Sequence, residues 1–296
     1  METIPYIGEI LSVCAALFWA TGVILFKKSG ESMPPTALNM FKNVIAVALL
    51  TPTMPLFGEA IFPEQSAEAW WMLLLSGFLG IAVADTLFFA SLRRLGAGLT
   101  AVVDTSYMPL MLGLSFLWLG EDIGVHVLFG AALIMAGLLV GSAARPEPGK
   151  TRRDIVVGTL IGIAGIAAMA VSIVMIKPIL NDAPMIWATW VRLLAGTVGL
   201  VPILLASPDR RRALAALRPA RHYRTAVPAA LTGTYLAMIA WVGGMKFIQV
   251  SRAALLNQLS TVFIFVLAIV FLKEPLTLRR TLAIGLAVPG AYLVVM

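Results

Sequence analysis

Apolar runs about as long as a bilayer is thick recur from one end of this 296-residue chain to the other. They are roughly Ile7–Phe26, Pro35–Leu56, Trp70–Leu92, Gly98–Leu119, Gly124–Ser142, Ile155–Ile176, Pro184–Leu205, Thr225–Phe247, Arg252–Leu272 and Thr281–Val295. Each is long enough to cross as a helix, and the alternation of a β-barrel is absent. Ten spans take up roughly 200 residues, which leaves short connections and no room for a folded domain outside the bilayer. Charged residues make up 12% of the chain, against about 25% in a soluble domain. So few charges cannot clothe a water-soluble protein of this size. The first span lacks the basic start of a signal peptide and is expected to stay in place.

Lys and Arg fix the expected orientation. Connections after odd-numbered spans hold Lys27, Lys28, Arg93, Arg94, Arg145, Lys150, Arg152, Arg153, Arg210, Arg211, Arg212, Arg218, Arg221, Arg224, Lys273, Arg279 and Arg280. The other side holds Lys177, Lys246 and Arg252. The odd connections are therefore expected in the cytoplasm and both termini outside. The net charge of +7 reports this topology rather than nucleic-acid binding. The Arg-rich connection Ser207–Arg224 suits a short surface helix on anionic lipid.

The two halves repeat each other. At an offset of 150, Gly8 meets Gly158, Lys27 meets Lys177, Pro34 meets Pro184, Pro52 meets Pro202 and Lys42 meets Arg192. At an offset of 153, Gly80 meets Gly233, Glu121 meets Glu274 and Gly137 meets Gly290. Asp104 meets Asn257, so polarity is kept there and charge is lost. Five spans per unit force the second copy to enter from the opposite side, the inverted layout of secondary transporters. The expected fold is an all-α integral membrane protein with ten transmembrane helices in two inverted five-helix repeats. Residues 1–143 form the first, 144–154 a polar linker and 155–296 the second.

With these features the chain resembles an EamA-type member of the drug/metabolite transporter superfamily over essentially its whole length. The resemblance rests on the two five-span halves and the basic residue early in spans 2 and 7. It also rests on the ends Leu119-Gly120-Glu121 and Leu272-Lys273-Glu274-Pro275, and on glycine-punctuated spans 5 and 10. Lys42 stands where many relatives have Arg. The resemblance implies a carrier of small metabolites, often amino acids or related compounds, frequently moved outward. It also implies a cavity between spans 1, 3, 4, 6, 8 and 9. Relatives are usually drawn with cytoplasmic termini, opposite to the charge count.

Charges inside spans are costly, at about 2.5–3.5 kcal/mol each on insertion scales, and mark functional candidates. Here they are Lys42, Asp85, Asp104 and Arg192. Counting residues from the span ends places Lys42, Asp85 and Asp104 in one leaflet half, and Arg192 with Asn257 and Gln258 in the other. Asp85 or Asp104 either takes up a proton or substrate ammonium tuned by Lys42, or forms a permanent ion pair. Lys42 and Arg192 suit a structural or gating role beside the cavity. Glu121 and Glu274 sit at interfacial depth, to cap the next helix or close a gate. Trp19, Tyr107, Tyr235 and Trp241 lie within spans and are expected to line an amphipathic cavity. Trp70, Trp71, Trp118 and Trp187 fit an interfacial belt. Gly243-Gly244 and Pro109 are candidate bends.

The expected function is a secondary transporter of a small amphipathic or zwitterionic metabolite, by efflux more than uptake, with proton coupling an option. The partners are that small molecule and the lipid bilayer, not nucleic acid, with a monomer or homodimer in a bacterial inner membrane. No cofactor and no metal are expected. One Cys and two His leave no metal cluster and no nucleophile–base pair for an intramembrane enzyme. The competing class is a non-transporting scaffold or lipid-handling protein.

Overall fold

In hydrocarbon every backbone N–H and C=O must be satisfied within the protein, and an apolar segment does this by becoming a helix. The structure, a computed structural model, describes residues 5–30, 34–141, 150–207, 210–217, 223–272 and 277–296. Among these it is helical throughout, with no strand. The first half contains α1 (Ile7–Gly30), α2 (Pro35–Leu56), α3 (Ala67–Gly77), a π-helical segment (Phe78–Val83), α4 (Ala84–Asp104), α5 (Tyr107–Leu119) and α6 (Val125–Gly141). The second contains α7 (Arg152–Val174), α8 (Lys177–Leu180), α9 (Met185–Ala206), α10 (Arg210–Ala216) and α11 (Tyr223–Ala230). A second π-helical segment (Leu231–Leu236), α12 (Ala237–Phe247), α13 (Val250–Asn257), α14 (Leu259–Leu272) and α15 (Leu278–Val295) complete it. Among the described residues eight helical stretches are long and apolar enough to cross a membrane, and Val125–Val140 and Thr281–Val295 are shorter apolar helices. The protein is a multi-pass integral membrane protein. The linker residues 144–149, with Arg218, Arg221, Lys273, Glu274 and Pro275, lie outside the described residues.

Local chemistry sets the helix ends. Pro35 opens α2 at a position where its missing N–H is not needed. The Ser66 hydroxyl accepts from Ala69 N at the start of α3, and Thr151 with Asp154 forms a capping box on α7. Gly120 ends α5 in the left-handed region at φ 63°. The Arg-rich connection carries only the seven-residue α10, with Arg210, Arg211 and Arg212 exposed and Ala213 buried.

The helical turns of Ala84–Asp104 do not form one rod. A Cβ on Gly162 would meet Ser91 Oγ at 2.7 Å and Val103 Cγ1 at 2.9 Å. Twelve residues of straight helix would separate those side chains by roughly 18 Å. The chain therefore reverses between Ser91 and Val103, where the sequence places Arg93-Arg94 and Gly98. The fourth apolar run is also interrupted, at Thr105-Ser106, where the backbone tightens to Thr105 N→Val102 O and Ser106 N→Val103 O. Pro109 explains it, since its ring crowds the carbonyl four residues back. Similar tightening occurs at Gln258, 153 residues beyond Thr105, with Gln258 N→Leu255 O. The π-helical segments are also 153 residues apart.

Gly243-Gly244, a candidate bend, breaks nothing: α12 runs through it. A Cβ on Gly244 would lie 2.4 Å from Ser12 Oγ, so these glycines bring α12 against α1. Trp187 is likewise not a belt residue. It is fully buried at the start of α9, edge-on to Trp70 with centroids 4.8 Å apart. Trp71 and Trp118 are exposed.

Helices from the two halves interleave. α1 packs on α12 and α14, α4 on α7, α2 on α9, and α6 on α15. The main core gathers Leu50, Met54, Ile173, Trp187 and Val242, and a second cluster joins Ile134 and Leu138 to Leu256 and Ala287. The closest approach is backbone on backbone, with a Cβ on Gly22 falling 2.3 Å from Gly233 Cα. Small residues at such crossings replace the hydrophobic drive that lipid removes. Gly22→Leu is expected to lower the unfolding temperature of the purified protein in detergent by several degrees, as overpacking by about 1–3 kcal/mol would. Gly113→Leu, where a Cβ meets nothing within 4 Å, should leave it nearly unchanged. Equal shifts would contradict the crossing.

Candidate functional site

A cavity of about 170 Å³ lies where the two halves face each other. Trp19 of α1, Lys42 and Asn43 of α2 and Asp85 of α4 reach it from the first half. Ser172 of α7, Arg192 of α9, Thr234 of the second π-helical segment, Met238 and Trp241 of α12, and Asn257 of α13 reach it from the second. Six of the expected site residues thus meet here: Trp19, Lys42, Asp85, Arg192, Trp241 and Asn257. Asp104, Tyr107, Tyr235 and Gln258 are not among its lining residues.

Those four have other surroundings. The Tyr235 hydroxyl shares a 2.8 Å hydrogen bond with Thr53 Oγ1 on α2, which ties its phenol to a neighbouring helix. Tyr107 is buried within electrostatic reach of both Asp104 and Arg192. Gln258 is buried at the helix break described above. Asp104 does not join Lys42 and Asp85 in an ion pair; helix reversal and break carry it to the Tyr107 side.

Lys42 Nζ and Asp85 Oδ2 are 3.8 Å apart, an ion pair joining α2 to α4. Asn39, one turn before Asn43, also hydrogen-bonds the Asp85 carboxylate, and Asn43 Nδ2 donates to Asn39 Oδ1 at 3.3 Å. Sequence reasoning missed these asparagines. Their signal was there, since Asn39, Lys42 and Asn43 at i, i+3 and i+4 share one face of an apolar span.

Arg192 is only 3% exposed. Its Nε donates to Ser76 Oγ at 2.9 Å, and Ser76 Oγ donates to the Ser172 carbonyl. Three buried polar atoms among the lining residues have no hydrogen-bond partner: Arg192 Nη1, Asn43 Oδ1 and Thr234 Oγ1. Exposure falls along the cavity, from 40% at Trp19 through 22% at Asp85 and 16% at Lys42 to Arg192.

Beyond Arg192 the bundle is closed by packing and by charges on helix ends. Ile176, Leu180, Trp187, Met245 and Val250 have no exposed surface. Glu121 accepts from Val250 N at 2.7 Å, from Ser251 N at 3.0 Å and from Ser251 Oγ, so it caps α13. It caps a helix of the other half rather than the next in sequence. Lys177 Nζ donates to the Met245 and Ile248 carbonyls at the end of α12, at 2.6 and 2.9 Å. Glu59 accepts from Ile186 N and Trp187 N at the start of α9. Glu59 also escaped sequence reasoning, because nothing local to it points to a helix more than 120 residues away. Among the described residues no three His, Cys, Asp or Glu side chains gather as a metal site needs.

Comparison with known proteins follows the same outline. A family model described as the EamA-like transporter family matches twice, over residues 6–142 and 156–296. The uncharacterized transporter YvbV of Bacillus subtilis is 25% identical over 290 residues, covering 96% of this chain and 90% of that protein. An uncharacterized transporter of Archaeoglobus fulgidus is 23% identical over 286 residues, covering 97% and 98%. A solved crystal structure shares the fold, with a TM-score of 0.82 at 19% identity over 97% of this chain and 95% of that one. The chain belongs to the EamA-like transporter family, a group of the drug/metabolite transporter superfamily.

Proposed function

We propose that this protein is a secondary transporter that carries a small amphipathic or zwitterionic metabolite outward across a bacterial inner membrane. The observation that carries the proposal is the cavity between the halves, with an ion pair toward one face and Arg192 toward the other. A cavity that gathers charged side chains at the join of two repeats is where alternating-access carriers hold substrate. We read the chain as ten spans in two inverted repeats, residues 1–143 and 155–296, joined by 144–154. The two π-helical segments and the two helix breaks, each pair 153 residues apart, support that reading. So does the double match to the family model.

The halves are not chemically equivalent. At the offset of 153, Asp85 corresponds to Met238 and Asp104 to Asn257. The intraspan carboxylates, Asp85 and Asp104, both belong to the first repeat. By their depth in the spans Lys42 and Asp85 lie toward the face of the basic connections, which the Lys and Arg distribution makes cytoplasmic, and we read substrate as loading from that face. Protonation of Asp85 removes both the partner of Lys42 and an anion able to hold a substrate ammonium. Proton and substrate then compete, which suits exchange of one for the other. Trp19, Met238 and Trp241 supply the apolar wall.

Two outcomes are expected. Reporters fused after Glu2 and after Met296 should both lie outside the cytoplasm; cytoplasmic reporters at both ends would reverse the proposed loading side. In proteoliposomes loaded with a bacterial metabolite extract, an imposed pH gradient should drive solute movement by the wild type. Asp85→Asn should abolish gradient-driven accumulation, and any residual exchange should no longer vary with pH. Unchanged pH dependence would make the Lys42–Asp85 pair structural. No movement of any solute by the wild type would favour a scaffold or lipid-handling role.

A further inference from the structure

A buried guanidinium without a counter-charge has to be explained by what it meets. No described carboxylate lies within ion-pair distance of Arg192. Asp85 is engaged by Lys42 and Asn39, while Glu59 and Glu121 cap helices. The Ser76 and Ser172 contacts engage the guanidinium through Nε, Nη1 has no hydrogen-bond partner, and the residue lines the cavity. A residue present only to brace α9 against α3 would not need a positive charge. Serine to serine, or glutamine to serine, would brace it without burying one.

We propose that Arg192 is the anchor of a carboxylate subsite, with its guanidinium donating to one oxygen of an organic monocarboxylate. The inference rests on the transport reading for its role, and specifies what that cavity selects. The charged lining residues are Lys42, Asp85 and Arg192, one net positive charge, which matches one negative charge and not the several of a sugar nucleotide. Asn43 and Thr234, which also line the cavity, take a polar substituent of the ligand. Its apolar body lies against Trp19 and Trp241. The carboxylate is the required group, and an amino group is an accessory. Arginine suits the task because its planar donors match a carboxylate while its charge does not titrate.

The test uses purified full-length protein in detergent, with tryptophan fluorescence and thermal shift as readouts. The probes are 4-methylpentanoate, L-leucine, 4-methylpentanamide and 3-methylbutylamine, with straight-chain carboxylates from acetate to octanoate to vary size. Carboxylates should bind, with the amide and the amine at least roughly tenfold weaker. Arg192→Gln should weaken carboxylate binding roughly 10- to 100-fold and erase the difference between 4-methylpentanoate and its amide. If Arg192→Gln does not fold, Arg192→Lys must still weaken carboxylates more than the amide, because it keeps the charge and loses the planar donors. Equal binding of acid and amide by the wild type would overturn the proposal, as would unchanged carboxylate affinity in the variant or no binding across the whole series. Transport readouts separate the two claims. Solute movement that is indifferent to Arg192→Gln sinks the subsite and leaves the carrier. Arg192-dependent carboxylate binding with no movement supports the subsite and sinks the carrier.

Discussion

Lipid offers no partner to a polar group, and this one constraint organises the whole molecule. It makes the apolar runs helical. It also explains why charges that stray from the aqueous faces are put to a definite use. Glu59, Glu121 and Lys177 bind the open ends of helices, where four N–H or C=O groups would otherwise lack partners. Lys42 and Asp85 satisfy each other. Among the described residues eight buried side-chain atoms have no hydrogen-bond partner, and three of them belong to residues that line one cavity: Arg192, Asn43 and Thr234. A buried unsatisfied group costs about 1–3 kcal/mol.

The same constraint gives the closed end its character. Glu121 holds the start of α13 while Lys177 holds the end of α12, so the turn at Ile248 and Gln249 is gripped by opposite charges. Both contacts are hydrogen bonds to backbone groups that water can also satisfy. Opening this end therefore exchanges protein partners for water rather than stranding them. Across the middle, α1 and the second π-helical segment cross backbone on backbone at Gly22 and Gly233, beside the Phe26 ring. A π-helical segment is itself a local irregularity that tolerates rearrangement of its hydrogen bonds.

Much of the fold was legible because membrane helices announce themselves by length. The apolar helices and the reversal after Arg94 follow from one-dimensional pattern. So did the break before Pro109, since a ring without an N–H acts locally. What the sequence hid depends on rotation about helix axes, which an almost uniformly apolar helix does not reveal. Trp187 reads as a belt residue by position, yet faces the core because α9 turns it toward Trp70. Tyr235 sits at cavity depth but points to Thr53. Gly243-Gly244 looks like a bend and is a packing face. Asp104 has the depth of Lys42 and Asp85 but belongs to the Tyr107 neighbourhood. Within the cavity, Lys42, Asp85 and Arg192 were visible as charges in apolar runs, whereas Asn43 and Thr234, and Ser76 behind Arg192, matter only through the partners they have or lack.

The central claim is that one cavity between the halves is reached in turn from the two faces of the membrane. Replacing the single cysteine, Cys14→Ser, and introducing Met238→Cys places one thiol on the cavity wall. Its labelling by a membrane-impermeant maleimide, applied from each face in turn, is the most direct measurement. The account predicts labelling from both faces, faster from the side of the basic connections, and slowed from both by a saturating carboxylate that the protein transports. Labelling from one face only, whatever the pH gradient or solute, would contradict it.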